Sequence, residues 1–98
     1  MVAPSDDPVV AGRGALERHA WTEAYEVLTH ADDGRALGGE GLTLLAAAAY
    51  WTAHPDETVE YLERAYGAYV AEGDPASASM IAFRVAEQHG MRMALPHA

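Results

Sequence analysis

Glu23, Glu26 and His30 recur at three and four residues within WTEAYEVLTHA, with His19 just ahead of them. Carboxylates and an imidazole on one helix face form a donor set that a divalent metal can take. A working site, however, needs convergent ligands held by a supporting shell, and no pair here has the spacing of a zinc or di-iron motif. The ordinary alternative is a solvated face whose residues interact with one another, so no metal and no other cofactor is expected. His54 beside Asp56 and Glu57 can be drawn as an acid–base pair, yet a histidine directly before Pro55 serves more simply to close the preceding helix. His89 can likewise favour the negative end of a helix dipole. Ser5, Ser77 and Ser79 lack a nucleophile-elbow context. Gly38-Gly39-Glu40-Gly41 follows no strand and precedes no lysine, so it is not a phosphate loop. The chain reads as non-enzymatic.

Aromatic side chains offer a different chemistry. Trp21, Tyr25, Tyr50, Trp51, Tyr61, Tyr66 and Tyr69 could build a ligand cage or an anchor for a peptide, although helical spacing assigns most of them to the core. Tyr50 and Trp51 are the exceptions. The charge balance narrows the partners further: six arginines, no lysine and fifteen carboxylates give a net charge of −9 over 98 residues. Phosphate binding is driven by clustered cations, and these arginines are scattered singly, so direct nucleic-acid binding is not expected. The acidity serves solubility, with steering toward a basic partner as the alternative. With no cysteine there are no disulfides or thiolate sites, which suits a cytoplasmic location. Leu44 to Trp51, the longest apolar run, is far shorter than the roughly twenty residues that cross a bilayer, and the start has no basic leader.

Prolines and glycines set the elements that must position these groups. Asp7-Pro8 and Asp74-Pro75 pair a capping carboxylate with a first-turn proline, and His54-Pro55-Asp56-Glu57 is a weaker version. Together with the His19-Ala20 boundary and the glycine-rich stretch from Asp32 to Gly39, they predict five helices at about 8–19, 21–31, 40–53, 55–72 and 75–89. No strand is expected. The second and fourth helices each carry one apolar stripe. The third is apolar almost all round, so it should be buried between neighbours. Very short joins at 19–21 and 53–55 then require antiparallel hairpins.

Trp21 to Ala31 is echoed thirty-four residues later by Pro55 to Ala65, with Glu23/Glu57, Glu26/Glu60, Leu28/Leu62 and Ala31/Ala65 coinciding. That period, with Gly12, Ala24, Leu28 and Ala31 at small and large apolar sites of one unit and Leu42, Leu45, Ala46, Leu62 and Ala65 in the next, resembles the tetratricopeptide repeat. Thr58 replaces an expected alanine, and Ala15 and Ala49 replace a tyrosine. The segment carrying Trp51, Pro55, Glu63, Arg64, Ala65, Tyr66, Gly73 and Asp74 is similar to the helical-repeat region of some actinobacterial LuxR-type transcriptional regulators. The DNA-binding helix pair of those proteins has no counterpart in this sequence, so DNA binding is not carried over. The resemblance implies an all-α fold in which hairpins stack into a right-handed superhelix over residues 8–90, the third hairpin lacking its second helix. A flexible N-terminus at 1–7 and a tail at 91–98 flank it.

The same resemblance implies a scaffolding or regulatory module that holds a protein or peptide partner. Transferring the repeat register places Arg13, Leu16, Glu17, Tyr50, Trp51, Phe83 and Glu87 on the concave wall. Met80, Ile81 and Val85, with Phe83, are expected to leave apolar surface on the fifth helix, with two explanations open: the chain is a fragment of a longer repeat protein such as a transcriptional regulator, or a second copy covers that surface as a homodimer. Two other readings stand beside it, a self-associating structural protein and a sensor with a small-molecule pocket around Tyr50, Tyr61 and Tyr66.

Overall fold

The computed structural model describes residues 7–34 and 37–94, with side chains of the last helix described through Gln88. Most of the N-terminal segment expected at 1–7, the end of the tail expected at 91–98, Ser5 and the side chain of His89 lie outside the described residues. Within them the fold is all-α: α1 (Pro8–Glu17), α2 (Trp21–Asp33), α3 (Gly39–Trp51), α4 (Pro55–Ala71) and α5 (Pro75–Ala94). No strand occurs among the described residues. α5 continues helically into the segment read as tail, because neither glycine nor proline interrupts it between Met91 and Ala94.

The expected caps form. Asp7 accepts from the Val9 amide at 2.9 Å, and Asp74 accepts from the Ser77 amide at 3.1 Å and its hydroxyl at 2.7 Å. These bonds to the carboxylate hold the Asp74 acid below its usual range. The start of α3 has no such local cap. Its Gly39 amide instead donates at 2.8 Å to Glu72, at the end of α4. That contact needs a close approach: a Cβ on Gly39 would lie 2.5 Å from the Tyr69 ring.

Three turns join helices with the same hydrogen bonds. Ala20 donates to the Ala15 carbonyl, His54 to that of Ala49 and Asp74 to that of Tyr69, while His19, Ala53 and Gly73 each donate three residues back. The central residue is left-handed every time, with φ of 60° at His19, 63° at Ala53 and 77° at Gly73. This is the paired bonding of a Schellman helix end. Glycine fills only the third, so the first two turns carry the steric cost of a Cβ in left-handed backbone. The first two turns are thirty-four residues apart, the same spacing as the sequence echo.

α3 packs against α1, α2 and α4, and α5 packs on α4. The main core holds Leu28, Leu42, Leu45, Ala46, Ala49, Tyr61, Leu62, Ala65 and Ile81. A smaller cluster joins Ala15, Ala24 and Ala48. The echo is thus a burial pattern, since Leu28/Leu62 and Ala31/Ala65 are buried at both positions, and outside it Ala15 and Ala49, also thirty-four residues apart, are both fully buried.

α2 and α4 are tied by two polar clamps. The Tyr25 hydroxyl donates to Glu57 at 2.5 Å, and Arg64 grips Asp32 through two bonds of 2.9 and 2.6 Å. Both clamps advance seven residues along each helix, from 25 to 32 and from 57 to 64, so α2 and α4 run in the same direction. The bond to the Glu57 carboxylate, with burial second, pushes the Tyr25 phenol up to about 12. The neutral phenol is the form the fold holds. Its stabilisation is therefore complete below an unfolded pKa of about 10 and is lost as pH rises from there through about 12. Tyr25→Phe should cost roughly 1.5–3 kcal/mol at neutral pH, the range for a hydrogen bond to a charged group. Urea unfolding from pH 9 to 12 checks both parts: the wild type should lose stability more steeply than the variant. Parallel curves would mean that the clamp contributes nothing. Tyr61, also raised by burial, keeps a residual slope in both proteins.

Candidate partner-binding groove

The side chains that cap the hairpin turns build an aromatic ledge. His19 stacks on Trp21 at 4.9 Å, Trp21 stacks on Trp51 at 4.9 Å, and Trp51 meets Tyr50 edge-on at 5.2 Å. The ledge crosses from the first hairpin to the second because Trp21 opens α2 while Tyr50 and Trp51 close α3. A parallel stack of Tyr25 on His54 at 4.6 Å lies beside it. His54 also meets the Thr52 hydroxyl at 2.8 Å through Nδ1, in keeping with its helix-closing role.

Tyr50 and Trp51 remain 52% and 55% exposed, so packing alone does not account for them. They form one wall of an open groove of about 240 Å³. Its α3 side is Ala46, Ala47, Tyr50 and Trp51, its floor is Thr58 and Leu62 of α4, and its far wall is Arg84, Glu87 and Gln88 of α5. Two alanines keep the first wall low. The Thr58 hydroxyl is buried and already donates to the His54 carbonyl, which leaves the floor apolar in effect.

Of the residues expected on the concave wall, the structure brings Tyr50, Trp51 and Glu87 together. Arg13 is on α1, paired with Glu40. Leu16 packs onto the small alanine cluster, Glu17 is exposed on α1, and Phe83, 65% exposed, does not line the groove. Arg84 and Gln88 were missed. Three described arginines, Arg13, Arg18 and Arg64, are paired with carboxylates, whereas Arg84 has no carboxylate partner among the described residues.

The α5 surface also differs from expectation. Met80 is exposed, but Ile81 is 4% exposed and belongs to the main core, and Val85 packs partly buried against it. The core stripe of α5 is therefore Ala78, Ile81 and Val85, which turns Ile81 away from any docking face. Tyr50 and Tyr66 line different depressions, the second with Glu63, Ala82 and Val85, while Tyr61 is buried. The three tyrosines do not share a cavity. Among the described residues no three of His, Asp and Glu converge as a metal site, and Glu23 pairs with Arg18 at 2.7 Å. No described helix is long and apolar enough to cross a membrane.

Fold and site together define a small all-helical domain with an aromatic-walled surface groove. No family model, curated protein or solved structure matches the chain.

Proposed function

We propose that this chain is a non-enzymatic protein-interaction module, a tetratricopeptide-like stack of hairpins with a scaffolding or regulatory role, and that its groove between α3 and α5 holds a segment of a partner protein. The observation that carries the reading is the half-exposed pair Tyr50 and Trp51 on an apolar-floored groove. Aromatic side chains left at a groove are what binding hot spots are made of. The thirty-four-residue spacing of the left-handed turns at His19 and Ala53, and the parallel run of α2 and α4, support hairpin stacking.

A photo-reactive amino acid at position 50, compared with one at position 26 on the exposed face of α2, tests the proposal in cells. The expected result is a discrete protein adduct from position 50 and none from 26. Equal labelling at both would remove the groove from consideration. Met80 and Phe83, 67% and 65% exposed on α5, favour a second reading, self-association. In that case the probe at position 83 yields the adduct, and its mass is that of two copies of this chain.

A further inference from the structure

We infer that the groove selects a cationic amphipathic segment, one presenting arginine or lysine beside apolar side chains; this rests on the groove being a partner site. Three features of the groove point the same way. Tyr50 and Trp51 offer partly exposed aromatic rings, and ring faces attract guanidinium and ammonium groups. Trp51 is the last residue of α3, where the helix dipole places partial negative charge. Across the groove, Glu87 supplies a full carboxylate.

Beyond the groove the chain carries a net charge of −9, which favours encounter with a basic partner and opposes an acidic one. Among the described residues that line the groove, Arg84 is the opposing group. It sits three residues before Glu87 on α5, and that displacement gives the groove two electrostatic ends. A bound segment is oriented by it, with its cation toward Glu87 and Trp51 and an acceptor toward Arg84. The apolar contacts come from Ala46, Ala47 and Leu62.

The test uses two designed amphipathic helices with the same leucine face, one carrying arginine and one carrying glutamate on the polar face. Intrinsic tryptophan emission reports directly, because the two tryptophans are stacked on each other at the groove. The arginine peptide is expected to bind and shift the emission. Its affinity should fall about tenfold in Glu87→Gln, the size of a lost charged contact, and less than about twofold in Glu26→Gln, which removes the same charge from a distant helix face.

Equal weakening in the two variants overturns the inference in favour of attraction to net charge alone. Tighter binding by the glutamate peptide, lost in Arg84→Gln, overturns the polarity but leaves the groove as a partner site. If neither peptide perturbs the Tyr50 and Trp51 resonances in an NMR titration, the inference and the groove reading fall together.

Discussion

Leu28→Ala should lower the unfolding free energy by about 3 kcal/mol and Gly12→Ala by about 1 kcal/mol, yet the double variant should cost less than their sum. Leu28 is fully buried, so truncation removes transfer energy and leaves a cavity where α1 crosses α2. At Gly12 the effects oppose. A Cβ there would stand 2.7 Å from Cγ and Cδ2 of Leu28 and 2.8 Å from Cδ1, and overpacking of that kind costs roughly 1–3 kcal/mol. Alanine returns up to about 1 kcal/mol of helix propensity, which sets the smaller net figure. With Leu28 already shortened, the methyl at position 12 enters free space. A favourable coupling of about 1 kcal/mol or more is expected between the two sites. Urea unfolding of all four proteins, with an unchanged dependence on denaturant, measures it. Strict additivity would mean that Gly12 is not there to admit Leu28. In a domain stabilised by roughly 5–15 kcal/mol, the Leu28 loss alone is large enough to lower the melting temperature by well over 10 °C.

That same crossing shows what the sequence makes legible. The echo between Trp21–Ala31 and Pro55–Ala65 marks equal spacing, and equal spacing fixes which faces are buried. Leu28 and Leu62, or Ala31 and Ala65, can therefore be placed in the core without coordinates. Capping pairs such as Asp7-Pro8 and Asp74-Pro75 are local and equally readable. The Glu72 cap on Gly39 is not, because its partners are 33 residues apart and meet only once α3 and α4 have paired. The clamps between α2 and α4 are hidden for the same reason. Their offset of 32 residues follows from how the hairpins sit against each other, not from the thirty-four-residue repeat.

Phe83 and Ile81 show a further limit. Register transfer copies a side chain's direction from one repeat to the next, but the two walls of a groove must face each other. A residue on α5 that points back toward α3 is therefore found from the core stripe of α5 itself. Ala78, Ile81 and Val85 define that stripe. Phe83, two residues past Ile81, is rotated by about 200° away from it, whereas Arg84, Glu87 and Gln88 flank it on the α3 side. α4 is four residues longer than α2 and the join after it is two residues shorter than the one after α2, so the thirty-four-residue register is not kept at α5. Ala46 and Ala49 of α3 are matched in burial by Ala78 and Ile81, 32 residues on.

Trp51→Ala is expected to weaken partner binding by about thirtyfold or more, the loss at a hot-spot aromatic, while lowering stability by only about 1 kcal/mol. The two effects separate because Trp51 is more than half exposed and its packing is chiefly the stack on Trp21 and the edge contact with Tyr50, an aromatic pairing worth roughly 0.5–1.5 kcal/mol. The partner captured at position 50, titrated calorimetrically against the purified variant, gives the first quantity, and thermal unfolding gives the second. Trp21→Ala is the necessary companion. It breaks the same stack but leaves the Trp51 indole in the groove, so binding should fall much less, through the lost support for Trp51 alone. Equal losses in both variants would assign the stack a purely structural role. Unchanged binding in Trp51→Ala would move the contact surface off the α3 wall, and the exposed Met80 and Phe83 of α5 would then be the next residues to vary.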